Sequence, residues 1–159
     1  MTTEPGQLNT AALAPAQLMT VSQWLSPSFP VGAFTYSHGL EATLGLHPGT
    51  ELEPWLTDIL RHGAGRNDAI LLRAAYAGSD AEADALGRAL APSKERLLET
   101  AQLGAAFCAA LRGGFDIDLP DLIYPVAIGA AGREQGIPCL LYTSPSPRDL
   151  STSRMPSSA

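Results

Sequence analysis

Few residues in this chain have the means to do chemistry. His38 and Glu41 stand three apart, and Asp58 and His62 stand four apart. On a helix each pair shares a face. An imidazole beside a carboxylate has the form of a metal-ligand or acid–base pair, and helical bundles build carboxylate-bridged metal sites from such spacings. Those sites draw ligands from four helices, whereas two segments supply all four residues here. Surface or capping pairs are the plainer reading, and a small metal-dependent bundle using His38, Glu41, Asp58 and His62 is the alternative. Ser37 adjoins His38, but neighbours on a helix point in different directions and form no nucleophile–base pair. Ser37 also lacks the Gly two positions earlier that a nucleophile elbow uses. No G-x-x-x-x-G-K-[ST] occurs, and Gly63-Ala64-Gly65-Arg66 reads as a helix break rather than a phosphate cradle. Cys108 lies on an apolar stripe, where a free Cys behaves as a small core residue. His47, before Pro48, is expected in a solvated turn. This reading assigns no catalytic residue, no metal and no cofactor.

The unusual segment is Ser26 to Glu41, SPSFPVGAFTYSHGLE. Phe29, Phe34 and Tyr36 fall in a run rich in Pro and Gly. Loops are ordinarily polar, so aromatics there are expected to pack on the body or on a partner. Pro27 and Pro30 stop a preceding helix, and Gly32 frees the backbone. Tyr36, Ser37 and His38 carry exposed polar tips suited to contact. Phe34 and Leu40 are expected to pack the connector. Glu41, near a helix start, suits the helix dipole first and a partner contact second.

The elements that must position this segment are helical. Leu18, Val21, Trp24 and Leu25 predict a first helix over 17–25. A second is expected from about Tyr36 to Gly45. Thr50 and Glu53 have capping-box spacing, and Trp55, Leu56, Ile59 and Leu60 form one stripe behind them. Gly63 and Gly65 break that helix, and Asn67 is expected to cap the next, with Ile70, Leu71 and Ala74 inward. Ser79 and Glu82 suggest a further capping box. The clearest helix spans about Ser93 to Arg112, with the stripe Leu97, Ala101, Gly104, Cys108 and Leu111, and Gly113-Gly114 as its stop. FDIDLPDLI has no partner strand and reads as loop. Pro125 opens a last helix that Gly136 ends. Five to seven helices without strands imply a single all-α domain.

The composition agrees, once a seam is recognised. The chain has 159 residues, 45% hydrophobic and 16% charged, enough for one packed domain. From Cys139 the patterning stops, and CLLYTSPSPRD and SRMPSSA resemble the two ends of a translated transposase sequencing adapter. Residues 139–159 are therefore expected to be a non-native tail, 1–15 a flexible lead, and 16–138 a helical domain truncated on its C-terminal side. Arg148, Asp149 and Arg154 belong to the tail, so residues 1–138 hold eight basic and fifteen acidic groups, net −7. That balance speaks against nucleic acid. No run is long enough for a membrane span, no secretory signal is visible, and the single Cys of 1–138 fits a cytoplasmic setting.

The Ser26–Glu41 run resembles the signature of the UreF family, S-P-x-x-P-x-G-x-F-x-Y-S-x-G-L-E. The matching residues are Ser26, Pro27, Pro30, Gly32, Phe34, Tyr36, Ser37, Gly39, Leu40 and Glu41. Weaker similarity continues through Trp55-Leu56, Asp68, Glu95-Arg96, Gln102-Leu103-Gly104 and Tyr124-Pro125-Val126-Ala127 to Gly136-Ile137-Pro138. The resemblance implies an all-α fold without enzymatic activity of its own. It further implies a homodimerising adaptor that joins UreD (also called UreH) and the GTPase UreG to deliver nickel to apo-urease. Members of that family continue into further helices. The resemblance therefore implies that helices of this chain leave apolar stripes uncovered.

Overall fold

The computed structural model describes residues 14–32, 40–47 and 49–138. Most of the expected lead, and the whole of the tail from Cys139 to Ala159, lie outside the described residues. Seven helices are present among those described: α1 (Pro15–Trp24), α2 (Leu40–Leu46), α3 (Leu52–His62), α4 (Ala64–Tyr76), α5 (Asp80–Ala89), α6 (Lys94–Gly114) and α7 (Tyr124–Glu134). No strand occurs among them, so the fold is all-α as expected. None of these helices is long and apolar enough to cross a membrane.

Helix α7 is the centre of the domain. Every residue from Pro125 to Gly132 is buried. Helices α4, α5 and α6 pack around it. A helix apolar on all sides has to be enclosed, and its small residues let neighbours come close. A Cβ on Gly129 would lie 2.2 Å from the Leu72 carbonyl oxygen of α4. A Cβ on Gly104 of α6 would lie 1.9 Å from the Leu122 carbonyl oxygen, in the strand-free segment that feeds α7. A Cβ on Gly87 of α5 would meet Ile123 Cδ1 at 2.3 Å. Backbone therefore rests almost directly on backbone at two of these crossings.

Both ends of α7 are anchored. At its start the Ile123 N–H donates to Asp84 Oδ1 at 2.7 Å, and Arg88 Nε donates to the other oxygen of Asp84 at 2.6 Å. A side chain of α5 thus receives a backbone donor that the helix itself leaves unsatisfied. Near its end Arg133 forms a two-pronged pair with Asp80 at 2.6 and 2.7 Å, and its guanidinium also donates to the Ala75 carbonyl at 2.6 Å. That one side chain ties α7 to the end of α4 and the start of α5. The helix then closes in a Schellman turn. Gly136, at φ +59°, donates to the Arg133 carbonyl at 3.0 Å, and Ile137 donates to that of Gly132 at 2.8 Å while burying its side chain. The expected stop at Gly136 holds for that reason.

The segment before α7 is loop, as expected. Ile117, Leu119, Leu122 and Ile123 point inward, while Asp116 and Asp118 point out. Arg112 pins it from α6 by donating to the Leu119 carbonyl at 2.5 Å and to Asp121 at 3.2 Å.

Several local expectations are corrected. Only Gly63, extended at φ −102° and ψ −155°, separates α3 from α4; Gly65 is already helical, and Asn67 lies inside α4 rather than capping it. The inward face of α4 is Leu71, Leu72 and Ala75, one residue on from the expected set, with Ile70 exposed, because the contact with Gly129 centres on Leu72. Thr50 and Ser79 make no side-chain cap; the Thr50 hydroxyl donates to the His47 carbonyl instead, at 2.9 Å. Ser93 does cap α6, accepting from the Arg96 N–H at 3.2 Å. Gly113 and Gly114 continue α6, which ends at Phe115. On α1, Val21 and Trp24 are buried whereas Leu18 and Leu25 are exposed.

Two measurements test this core. Gly104→Ala drives a methyl group into the Leu122 carbonyl and is expected to cost about 1–3 kcal/mol or more in urea denaturation. Gly113→Ala, with open space at the same helix's end, is expected to be neutral or to gain up to about 1 kcal/mol. Burial raises the Cys108 thiol above its ordinary 9.0 and the Tyr124 hydroxyl above its ordinary 10.0. Both groups keep their protons longer folded than unfolded. Their contribution is complete below the unfolded values and is lost as pH climbs through the raised ones. The urea midpoint should hold steady to about pH 8.5 and fall above it, and Cys108→Ala should flatten the earlier part of that fall.

Candidate functional site

The described part of the connector that follows α1, residues 25–32, packs on a knot of aromatic rings. Trp24, at the end of α1, meets Phe107 of α6 edge-on at 5.7 Å and Phe115 at 5.8 Å. Phe29 lies tilted against the same two rings at 5.4 and 6.2 Å. Phe107 also meets Tyr124 of α7 edge-on at 5.8 Å. Such centroid distances and angles suit the ring quadrupoles, each pair adding roughly 0.5–1.5 kcal/mol beyond its burial. Phe107 is the hub, fully enclosed, and Phe29 is 7% exposed. Of the two placements left open for Phe29, the body or a partner, the structure shows the body. Phe107 was absent from the expected α6 stripe, although it stands three after Gly104 and four before Leu111 and so shares their face.

The backbone over this knot is turned by its own groups. Ser26 N–H donates to the Gln23 carbonyl at 3.2 Å, and Phe29 N–H to the Ser26 carbonyl at 3.0 Å. The Ser26 hydroxyl accepts from the Ser28 N–H at 3.2 Å and lies 3.1 Å from the Ser28 hydroxyl. That is the side-chain turn that Ser favours. Val31 N–H donates to the Phe29 carbonyl at 2.7 Å, Val31 is buried, and Gly32 takes a left-handed φ of +68°. Phe29 and Val31 thus face the core, while Pro27, Ser28 and Pro30 face outward. Residues 26–31 thus form a ridge with an exposed edge.

Beside that ridge runs a groove of about 740 Å³, lined by Met19, Gln23, Ser28, Pro30, Gly114 and Phe115 among others. Its lining is mixed, with no charged side chain. Gln17 on α1 reaches across to donate to the Gly136 carbonyl at 2.9 Å, which locks α1 to the end of α7.

Of the other expected site residues, Phe34, Tyr36, Ser37, His38 and Gly39 lie outside the described residues. Leu40 and Glu41 open α2, where Glu41 is exposed. Asp58 and His62 are exposed on α3. Among the described residues no three His, Cys, Asp or Glu side chains gather to hold a metal ion. Cys108 is buried within the core, with its thiol held protonated by burial.

Helix α3 differs from the rest. It has a strong apolar stripe but no buried residue. Leu52, Leu56 and Leu60 are 53%, 44% and 64% exposed. Leu44 and Leu46 of α2 are exposed as well. Full burial of a Leu side chain is worth about 1.5–3 kcal/mol, so these helices forgo much of what their sequences offer.

Comparison with known proteins gives this surface a family. The UreF family model matches residues 46–141. A protein of Cereibacter sphaeroides strain KD131, named urease accessory protein UreF, is 50% identical over 127 residues, covering 77% of this chain and 60% of that protein. Its namesake in Roseobacter denitrificans is 46% identical over 126 residues, covering 76% and 57%. Urease accessory protein UreF 1 of Brucella canis is 44% identical over 135 residues, covering 76% and 58%. The chain spans about three-fifths of the length of these relatives. No solved structure matches. The family match over most of the helical region, together with these identities, places the chain in the UreF family of urease accessory proteins.

Proposed function

We propose that this chain acts as a non-catalytic adaptor in urease maturation, joining UreD (UreH) and the GTPase UreG so that GTP hydrolysis supports nickel insertion into apo-urease. Nickel is cargo in this reading, and the chain holds no cofactor. The setting is the cytoplasm, and the full-length protein works as a homodimer. The observation that carries the reading is the described part of the connector: Phe29 and Val31 hold its inner side to the core, Phe29 against Phe107 and Phe115, while the signature residues Pro27 and Pro30 stand exposed on its outer side. A rigid exposed edge on a stable scaffold is what a docking surface needs, because little ordering remains to be done on binding. Tyr36, Ser37, His38 and Glu41 extend that edge in sequence and are the proposed contacts.

Co-expression with UreD and UreG tests this directly. With its matched residues grafted into the full-length Cereibacter sphaeroides relative, the tagged protein should retain both partners, and Pro30→Arg or Tyr36→Ala there should weaken retention at least tenfold while leaving the melting curve in place. Phe29→Ala should behave differently, lowering stability by about 3–5 kcal/mol through the cavity it leaves against Phe107. Wild-type retention by Pro30→Arg and Tyr36→Ala together would remove the ridge from the binding surface. Tight stoichiometric nickel binding by the isolated chain, abolished in His38→Ala, would favour a metal enzyme over an adaptor. The boundary at Pro138 is likewise proposed to separate family sequence from a foreign tail, and codons at Cys139 to Asp149 that differ from the adapter would refute it.

A further inference from the structure

The groove beside the ridge combines two chemistries. Met19, Pro30 and Phe115 give it apolar surface, while the Ser22 hydroxyl and the Gln23 amide on α1 give it hydrogen-bond acceptors. Gly113 and Gly114 bring the last turn of α6 into the lining without a side chain over it. A helix end leaves its final carbonyls without intrahelical donors. The Leu111 carbonyl accepts from the Phe115 N–H at 2.9 Å, but no backbone N–H among the described residues reaches the carbonyls of Arg112, Gly113 or Gly114. The aligned peptide dipoles of this 21-residue helix make that end partially negative.

The side chains next to it have the same sign. Phe115 leads into Asp116, at φ +55°, and Asp118 and Asp121 follow on the same loop, all three exposed. Arg112, the cation of that last helical turn, is committed to the Leu119 carbonyl and to Asp121. Asp116 and Asp118 have no ion pair among the described residues. We infer that the groove receives a basic segment of a partner protein, an Arg or Lys whose apolar stem lies along Met19 and Phe115 and whose charged head meets the carbonyl end of α6 and Asp116. Long cationic side chains bury their stems on apolar surface in this way while the head stays among polar groups. Charge selects this occupant. An acidic segment or a nucleic acid would be repelled here, and a second copy would bring the same net −7 over residues 1–138. The inference rests on the adaptor reading for there being a protein partner, and adds the chemistry of the segment that partner presents.

The test uses the full-length chimera with the Cereibacter sphaeroides relative and has two arms. In the first, Gly113 is replaced by the photo-cross-linker benzoylphenylalanine, since open space surrounds that position, and the complex with the retained partners is irradiated. The cross-linked peptide should carry Arg or Lys. A cross-link to a segment without a basic residue, or to a second copy of the chimera, overturns the inference. The second arm needs no partner. An acetylated peptide of alternating Leu and Arg should bind the chimera about fivefold or more tighter than its Leu–Gln counterpart at low salt, and the gap should close at high salt. Gly113→Phe, which fills the groove, should remove that preference without moving the melting temperature. Asp116→Asn together with Asp118→Asn should do the same, because Asn tolerates the left-handed backbone at 116. Equal binding of the Arg and Gln peptides, or a preference that survives both sets of substitutions, overturns the inference. A chimera that retains neither partner counts against the adaptor reading, and the peptide arm then decides the inference alone.

Discussion

The close approach of backbone to backbone around α7 is the constraint on which the rest depends. Gly129 sits against the Leu72 carbonyl and Gly104 against the Leu122 carbonyl, each nearer than any side chain would permit. Because α7 lies this deep, Leu71, Leu72 and Ala75 of α4 and Phe107, Cys108 and Leu111 of α6 reach it from opposite directions and form one core. Dense packing of this kind has little tolerance for added volume. It also explains the polar ties at the two ends. Asp84 on the Ile123 N–H and Arg133 on Asp80 and the Ala75 carbonyl sit where the buried helix meets its neighbours' ends. These contacts fix direction and register, while burial supplies most of the driving force.

The connector inherits its shape from that core. Phe107 touches Trp24, Phe29 and Tyr124 together, so a single ring on α6 links α1, the connector and α7. Pro27 and Pro30 deny the chain a helix there, the Ser26 hydroxyl closes the turn, and Gly32 permits the left-handed exit. A segment with two prolines and a positive-φ glycine would be loose in isolation. Pinned by Phe29 and Val31, it becomes a surface feature of definite form. In the described part of the family signature Pro27 and Pro30 face outward, and the inward Phe29 and Val31 that hold them stand at positions the signature leaves open.

Helices α2 and α3 stand apart from this economy. Their apolar residues are present in the right pattern and remain uncovered. The buried residues gather around α7, whereas α3 contributes none of them.

Much of this was legible in the residues themselves. The all-α class, the long α6, the loop before α7 and the Gly136 stop follow from periodicity and backbone permission, which are local properties. The Ser26–Glu41 run was also legible as the distinctive segment, and family membership followed from it. Tertiary structure alone decided which of two adjacent stripes on α4 turned inward, since Ile70 and Leu72 are equally apolar and only the position of Gly129 distinguishes them. It decided that Phe107 is the hub, because a ring's importance lies in which distant rings it meets. It likewise decided that Gly113 and Gly114 continue a helix where local preference would end one. Sequence periodicity reports that a face is apolar; what that face touches is set by chain segments far away.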